Sequence, residues 1–293
     1  MSDPLAPVRP YASQLLRRLR SWRAHHANPG ATVGDVDPAS LPADAAINFH
    51  CNLCGVPNSA PLLQLSREAP SCAGCGSNVR FRAMARLVVR EMLGRDVALP
   101  DAPNTRDITG LGLSDVAAYA NPLAQTFAYE NTWFHTAPQL DIANAPPERF
   151  ERYDFVVASD VFEHVAPPVS RAFANARKLL KPGGRLIFTV PFSLDPDTVE
   201  HFPDLHEWSV AEHDGKWRLT NTTIAGEVQT FDDLIFHGGP GTTLEMRLFS
   251  QDGLEREFLR AGFARMRIAA EPYLPFGIHW PEPFSVPMVA YAS

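Results

Sequence analysis

The stretch between residues 153 and 192 constrains the fold of this 293-residue chain more than any other segment. It contains a short apolar run, Phe155–Ala158, of the kind expected for a strand buried on both faces. A segment with helical spacing follows, "PPVSRAFANARKLL", and Lys181-Pro182-Gly183-Gly184 ends it before a second apolar strand, "RLIFTVPF". Two buried strands joined by a helix predict a parallel sheet with helices on both faces.

The rest of the chain from about residue 106 continues this alternation. A helix capped by Ser250 and ended by Gly262 precedes two closing strands, "RMRIAAE" and "SVPMVAYAS". A long insertion, residues 193–249, is rich in His, Pro and Gly, and its "WRLTNTTIAGEVQTF" predicts a hairpin around Ala225-Gly226. The expected fold class is α/β, a doubly wound, mostly parallel seven-stranded sheet.

All four cysteines of the chain fall in one short segment before this sheet. Two C-x-x-C pairs, seventeen residues apart, have the spacing of a four-cysteine zinc ribbon, with glycine directly after each pair: Cys51, Cys54, Cys72 and Cys75. Four thiolates complete a closed tetrahedron, so we expect one structural Zn(II) without an open position for substrate. A helix, "VRFRAMARLVVREML", is predicted to follow, with Ser77 or Asn78 as its cap.

These features divide the chain into residues 1–45, a basic tail and linker; 46–80, the zinc ribbon; and 81–293, the α/β domain. In the tail, Leu15, Leu16, Leu19 and Trp22 share one helical face among arginines. This pattern suits either a short helix that weakly contacts an anionic membrane or partner, or a solvated helix in a flexible tail, and we favour the latter.

Composition excludes several functional classes. The chain is 45% apolar and 20% charged, as in ordinary globular proteins, and its net charge of −7 argues against general nucleic-acid binding. No apolar run approaches the roughly 20 residues that span a bilayer, and the N-terminus lacks the apolar core of a signal peptide. We therefore expect a cytoplasmic protein without a transmembrane segment; the sequence leaves its oligomeric state open.

The block from Tyr153 to Phe192 strongly resembles the fourth-strand to fifth-strand region of class I S-adenosylmethionine-dependent methyltransferases. The resemblance rests on three ordered motifs: Tyr153-Asp154, Glu163-His164-Val165, and the helix end from Leu180 to Gly184. "LEREFLRAGFARMRI" is similar to the last helix and strand of that family. With its zinc ribbon, the chain looks like a type 11-like bacterial subgroup often encoded near surface-polysaccharide genes. The resemblance implies a Rossmann-like methyltransferase with S-adenosylmethionine as its cofactor.

The resemblance also implies which residues bind the cofactor. The loop after the first strand, "DITGLGLSD", is expected to approach it most closely, and an acidic or amide residue after the second strand is expected to bond the ribose. An Asp followed by an apolar residue is then expected at the adenine. The resulting candidates are Gly110, Gly112, Ser114, Asp115, Glu130, Asn131, Asp141, Ile142, Ser159 and His164.

The glycine loop departs from the pattern of the family. Thr109 stands where an acidic residue is usual, and Leu113-Ser114-Asp115 replaces the continuation that would carry a third glycine. Either Ser114 and Asp115 take over contacts to the cofactor, or cofactor binding is weakened. Read alone, a G-x-G is usually a turn, Asp141 a cap and Glu130 a surface residue.

A hydroxyl acceptor benefits from a general base, most often His or a carboxylate. The insertion supplies three histidine candidates, His201, His206 and His237, with Asp160 at the tip of the fourth strand behind them. Glu245 and Arg247 either orient a polar substrate or form an ordinary ion pair. Each single histidine is otherwise a surface or core residue.

The leading hypothesis is methyl transfer to a small-molecule or saccharide acceptor, through a hydroxyl or similar group. A catalytically silent, zinc-bearing binding module is the alternative, because the glycine motif is incomplete. A nicotinamide-dependent enzyme ranks last, since the G-x-G-x-x-G that it needs is also incomplete.

Overall fold

The computed structural model describes residues 38–281 and 285–293, so the predicted amphipathic helix of the tail lies outside the described residues. The helices are α1 (Val79–Leu93), α2 (Ala117–Thr126), α3 (Ser170–Leu179) and α4 (Gln251–Arg260). The strands are β1 (Ala46–His50), β2 (Pro57–Pro61), β3 (Thr105–Leu113), β4 (Phe127–Thr132), β5 (Tyr153–Ser159), β6 (Leu180–Thr189), β7 (Phe192–Ser193), β8 (Val199–Glu200), β9 (Glu207–His213), β10 (Lys216–Thr222), β11 (Val228–Phe231), β12 (Phe236–His237), β13 (Thr243–Leu244), β14 (Arg247–Ser250), β15 (Phe263–Ile268) and β16 (Met288–Ala292).

The central sheet is mixed, with the strand order β15-β16-β6-β5-β3-β4. β3 pairs in parallel with β4 and β5, and β5 pairs in parallel with β6. β16 is antiparallel to both of its neighbours. The parallel sheet predicted from residues 153–192 is therefore confirmed for β3, β4, β5 and β6, the four strands of this sheet that come first in the chain.

The sheet has six strands in the described residues, where seven were expected. Residues 133–152, between β4 and β5, hold two short 3-10 helices, Ile142–Asn144 and Pro147–Arg149, and one isolated parallel bridge, Trp133 to Gln139. A further parallel strand between β4 and β5 in the chain would need two crossover connections, each of a dozen or more residues. The 20 residues of this segment are too few for two such connections, and only the bridge marks where a further strand would pair.

Alternating side chains along the strands fill a core on each face of the sheet. On β5, Phe155 and Val157 pack with α1 and α2, while Val156 and Ala158 pack with α3 and α4. All four side chains are fully buried. A strand buried on both faces explains why its sequence is a continuous apolar run and not an alternating one. Helices cover both faces, as the sequence predicts.

The cysteine segment is joined to the main domain by packing and by one buried arginine. β1 and β2 form an antiparallel hairpin, and Ile47 and Phe49 of β1 belong to the same apolar cluster as the sheet. Arg82 of α1 has no exposed surface and donates to the carbonyls of Ser77 and Gly277 at 2.8 and 2.9 Å. The domain boundaries expected from the sequence stay a prediction, but the two parts share one core.

The insertion at 193–249 folds into small sheets with an apolar cluster of its own. β9, β10 and β11 form an antiparallel sheet, and the turn between β10 and β11 contains Gly226 with φ of 85°, which confirms the predicted hairpin. The cluster consists of Phe202, Leu219, Leu244 and Met246. Two predicted caps also form: Asn78 accepts from the Phe81 N–H, and Ser250 from the Gly253 N–H. No helix among the described residues has the length and apolar character needed to cross a membrane.

Candidate active site

A cavity of 1740 Å³ opens at the carboxyl ends of the parallel strands. Its floor includes Ser114 after β3, Asp160 after β5 and Pro191 after β6, and the insertion supplies the opposite wall. Ligands of open α/β sheets bind at this edge. The volume exceeds the 300–1,000 Å³ typical of one small-molecule pocket, so there is room for a cofactor beside an acceptor.

Ser114 and Asp160 occupy equivalent positions on this floor, and both have left-handed backbone. Their φ angles are 59° and 54°. Non-glycine residues rarely adopt this conformation, and they are found preferentially at functional sites where the surrounding structure holds them in place. The geometry therefore marks the tips of β3 and β5 as the functional edge of the sheet.

The two glycines of the expected cofactor loop, Gly110 and Gly112, lie within β3 itself and do not line the cavity. A Cβ on Gly110 would overlap the Phe155 ring, and one on Gly112 would lie 2.6 Å from oxygens of Asn131 and Asp115. Close packing requires glycine at both positions. Packing within the sheet thus accounts for both glycines, and their expected role of bringing the backbone close to the cofactor stays a prediction.

Asp115 also faces inward, and this corrects its expected role as a cofactor contact. Its carboxylate is 1% exposed and accepts hydrogen bonds from the hydroxyls of Tyr119 and Tyr129. Burial raises the pKa of Asp115 to about 7, although the two hydroxyls and the charge of Arg80 act to lower it. Ser114 is the only residue of the Leu113-Ser114-Asp115 departure that combines a polar side chain with a place on the cavity wall.

The two ribose candidates at the end of β4 are engaged elsewhere. The Asn131 side chain accepts from the Asp115 N–H at 3.0 Å and donates to the Asp115 carbonyl at 2.8 Å. Glu130 pairs with Arg149 at 2.8 Å. Neither residue lines the cavity: Asn131 is bonded to the backbone of Asp115, and Glu130 is paired with Arg149.

Asp141 and Ile142, which the resemblance places at the adenine, line the cavity. The Asp141 carboxylate caps the short 3-10 helix, accepting from the Ala143 N–H at 2.9 Å and from the Asn144 amide at 2.7 Å. Each carboxylate oxygen accepts more than one hydrogen bond, so the cap leaves acceptor capacity for a ligand. The cap and the ligand site expected at Asp141 are therefore compatible.

Asp160 is held by two arginines that the sequence reading missed. Arg67 Nη2 lies 2.7 Å from both Asp160 oxygens, and Arg80 Nη1 lies 3.3 Å from one of them. Arg80 also donates to Ser159 at 2.7 Å, and Ser159 itself does not line the cavity. Burial opposes ionisation, but the two guanidiniums hold the pKa of the Asp160 carboxyl well below its usual range. Asp160 is thus an anchored anion and a poor proton acceptor.

Both arginines come from the cysteine segment and the start of α1, so this part of the chain contributes to the cavity wall. In the sequence, only the position of these arginines near the cysteines could have drawn attention to them. No spacing rule links residue 67 to residue 160, and the contact is visible only once the fold brings them together.

Two of the three predicted bases meet at one carboxylate. His201 Nε2 and His237 Nε2 each lie 2.9 Å from an oxygen of Glu245, and all three residues line the cavity. Burial opposes ionisation of Glu245, but the two imidazoles lower the pKa of its carboxyl to about 2. His206 is exposed and lies outside the cavity wall, which corrects its place among the candidates.

The Glu163-His164 pair forms the turn after β5, and the insertion docks against it. His164 lines the cavity and bonds the Leu244 carbonyl through Nδ1 at 2.8 Å. Burial lowers the pKa of His164. Arg247, which has no exposed surface, donates to the carbonyls of Phe162 and Val165 and pairs with Glu200 at 2.7 Å. Arg247 therefore fixes this turn and does not reach the cavity.

The four cysteines converge at the base of the hairpin. Their sulfurs lie within 4.8 Å of one another, with Cys51–Cys75 and Cys54–Cys72 separations of 3.6 Å. Zinc–sulfur bonds of about 2.3 Å place tetrahedral sulfurs about 3.8 Å apart, so the donor set fits zinc. The glycine after each pair has φ near 70°, and its N–H closes the turn onto the first cysteine of the pair, as the spacing predicts.

Comparison with known proteins identifies the class to which this fold and site belong. Residues 73–266 match the methyltransferase-domain family. The chain belongs to this family. The resemblance to methyltransferases that the motifs carry is thus confirmed at the level of the family.

Among curated proteins, the chain is 35% identical over 114 residues to the ubiquinone biosynthesis O-methyltransferase of Cereibacter sphaeroides, covering 39% of this chain and 37% of that protein. It is 29% identical over 169 residues to a highly reducing polyketide synthase of Hypocrea jecorina, covering 49% of this chain and 6% of that protein. The match thus spans little more than a third of the first relative and a small part of the second.

Among solved structures, the chain is similar to a sugar N-methyltransferase from Streptoalloteichus, with 17% identity, coverage of 72% of this chain and 87% of that chain, and a TM-score of 0.41. It is also similar to an amino pentose methyltransferase from Micromonospora echinaspora, with 15% identity, coverage of 72% and 90%, and a TM-score of 0.39.

Proposed function

We propose that this protein transfers a methyl group from S-adenosylmethionine to a hydroxyl of a small-molecule or saccharide acceptor, with a histidine as general base. The observation that carries the proposal is the convergence of His201 and His237 on Glu245, at the wall of a cavity on the ligand-binding edge of the sheet.

The residues present fit the cofactor at the side of the cavity opposite the insertion. Asp141 would accept from the adenine amine, Ile142 would pack on the ring, and Ser114 would face the methionine half. When bound, S-adenosylmethionine supplies an electrophilic methyl group on a sulfonium. Because Gly112, Asp115 and Asn131 face inward, the ribose has fewer contacts from the glycine loop than the family pattern implies.

The histidine pair gives this chain a means of moving a proton. A carboxylate that accepts from one imidazole nitrogen fixes the tautomer and leaves the other nitrogen free to accept a proton. Glu245 is 7% exposed and ionised, so it stabilises the imidazolium that forms as the acceptor hydroxyl is deprotonated. The chain would thereby raise the nucleophilicity of the oxygen while the walls of the cavity exclude water.

The proposed acceptor follows from the wall that the insertion completes. Partly exposed Trp133, Phe134 and Trp208 line the cavity together with Trp217. Aromatic walls with a few polar groups suit a ring-shaped ligand such as a sugar or a phenol. The matching curated relative is an O-methyltransferase, which supports oxygen as the atom methylated.

We further propose that Cys51, Cys54, Cys72 and Cys75 bind one structural zinc ion. The separations of their sulfurs support this, and a closed four-sulfur site leaves no position for substrate. Its role would be to hold the segment that carries Arg67 and Arg80 against the tip of β5.

A catalytically silent binding module is the second candidate. The inward-facing Asp115 network favours it, since that network fills the place where the family pattern brings backbone close to the cofactor. A silent module has no use for the histidine pair, so the two candidates differ in whether any methyl transfer depends on it.

The test is methyl transfer by the full-length protein from S-adenosylmethionine carrying a tritiated methyl group, with a panel of saccharide and phenolic hydroxyl acceptors. We expect transfer to the oxygen, with kcat lowered about 10²-fold or more in His201→Ala and Glu245→Gln. His213→Ala, an exposed histidine outside the cavity, is the matched control and should behave as the parent protein. If neither variant reduces the transfer, the proposal of a histidine base is wrong. If no acceptor of the panel is methylated, the silent binding module is favoured.

A further inference from the structure

Three potential metal ligands converge at the cavity wall, and one of them, His237, is also a partner of Glu245. One donor atom from each of Glu163, His164 and His237 lies within 4.8 Å of the other two. Glu163 Oε1 is 3.8 Å from His164 Nε2 and 3.9 Å from His237 Nδ1. The two imidazole rings meet edge to face, with centroids 4.6 Å apart.

The unused nitrogen of each imidazole faces the same carboxylate. His164 Nδ1 bonds the Leu244 carbonyl at 2.8 Å, which leaves Nε2 toward Glu163. His237 Nε2 bonds Glu245 at 2.9 Å, which leaves Nδ1 toward Glu163. Histidines that bind metals almost always give their other N–H to a carbonyl or carboxylate in this way, which orients the ring and fixes the tautomer.

Glu163 lacks the partners that a buried carboxyl normally has. It has no exposed surface, and neither oxygen has a hydrogen-bond partner among the described residues. Burial, with the charges of Asp160 and Glu245 adding to it, raises the pKa of Glu163 well above its ordinary value. An unpaired buried carboxyl costs free energy, and a cation between it and the two imidazoles would remove that cost.

We propose that Glu163, His164 and His237 bind one divalent cation whose open positions face the cavity, where the acceptor hydroxyl coordinates it. Two imidazoles and one carboxylate suit a first-row transition ion such as Zn²⁺, Mn²⁺ or Fe²⁺. Bonds of about 2.0–2.2 Å place ligand atoms roughly 3.0–3.5 Å apart, so the two separations between Glu163 and the imidazoles, 3.8 and 3.9 Å, need to close by roughly 0.3–0.9 Å.

The role of the cation rests on the proposed function, whereas its binding does not. A hydroxyl bound to the cation has a lowered pKa and loses its proton more readily. With His164 and His237 as ligands, His201 remains as the base: it takes the hydroxyl proton, the oxygen–carbon bond forms, and the carbon–sulfur bond breaks to leave a neutral thioether. The cation would thus give His201 and His237, which both bond Glu245, different roles: His237 as a metal ligand and His201 as the base.

The site can be tested with Mn²⁺, because thiolates favour softer ions and the four-cysteine site should not compete for it. Free Mn²⁺ is followed by electron paramagnetic resonance as it is added to the full-length protein, and zinc content is measured in parallel. We expect Mn²⁺ to reach one ion per chain in protein that carries one zinc, and zinc added in place of Mn²⁺ to reach two ions per chain. Glu163→Gln and His237→Ala should weaken Mn²⁺ at least tenfold and reduce zinc to one ion per chain.

The matched control is His213→Ala, which removes an exposed histidine of the same insertion and should bind both metals like the parent protein. Thermal melts and S-adenosylhomocysteine affinity report whether the variants still fold. The proposal is overturned if the parent protein binds neither Mn²⁺ nor a second zinc, or if Glu163→Gln binds them equally well. Cation binding without cofactor binding would instead contradict the proposed function, and cofactor binding without cation binding would contradict only this site.

Discussion

Asp115 is a carboxylate that the fold removes from water and places between two tyrosine hydroxyls. Its ordinary pKa is 3.8, and burial raises it to about 7 in the folded chain. The protonated form is therefore favoured by folding, and the stability that it contributes is fully present below pH 3.8. That contribution is lost as the pH rises through about 7.

The substitution Asp115→Asn removes this titration while keeping the shape of the side chain. The free energy of unfolding of the parent protein, minus that of the variant, should fall by about 1.4 kcal/mol per pH unit between pH 5 and 7. Urea denaturation at pH 5, 6, 7 and 8 measures the difference. A constant difference across this range would show that Asp115 is already ionised in the folded protein.

Single residues also show where sequence reasoning stops. Asp141 and Ile142 could be placed on the cavity wall from the resemblance to the family, and His201 and His237 because they lie in the insertion. Arg67 could not, since its partner Asp160 is 93 positions away and no local pattern records the contact. The inward orientation of Asp115 depends on Tyr119 and Tyr129, and their convergence on it appears only in the fold.

At the scale of elements, β3 and β5 approach so closely that Gly110 has no room for a side chain. We expect Gly110→Ala to destabilise the protein by about 1–3 kcal/mol, because its Cβ would overlap the Phe155 ring. Combining it with Phe155→Leu should cost less than the sum of the two single changes, by about 0.5–2 kcal/mol. Denaturation of the four proteins in the cycle measures this coupling. Strict additivity would mean that the strands adjust without the contact.

The cysteine hairpin is an element whose stability we expect to depend on metal. Cys72→Ser should abolish zinc binding at the ribbon and lower the free energy of unfolding by about 3 kcal/mol or more, since metal binding free energy is folding free energy. Metal analysis and calorimetry check the two effects. Ala73→Ser, an exposed change within the same turn, should alter neither. A Cys72→Ser protein with undiminished zinc and stability would contradict the proposed structural zinc.

Elements were predictable wherever the local pattern matched the final environment. The buried run at β5 and the capped starts of α1 and α4 carry their signals within a few residues. The expected seventh strand has no such local pattern: its number came with the fold class alone, and residues 133–152 form two short 3-10 helices and one isolated bridge instead. Which elements surround the cavity could therefore be known only from the three-dimensional structure.

At the scale of the whole molecule, three distant parts of the chain meet at one edge of the sheet. The cysteine segment brings Arg67, the strand tips bring Ser114 and Asp160, and the insertion brings His201 and Glu245. The composition and motifs predicted the class of protein and the location of this edge. The role of each residue along this edge could be inferred only from its contacts in the structure.

The central claim is that this edge binds S-adenosylmethionine, and calorimetry of the full-length protein with S-adenosylhomocysteine tests it most directly. The account predicts one binding site per chain with a dissociation constant in the micromolar range, as expected for an enzyme of small substrates. Folded protein that binds no S-adenosylhomocysteine even at millimolar concentration would contradict it.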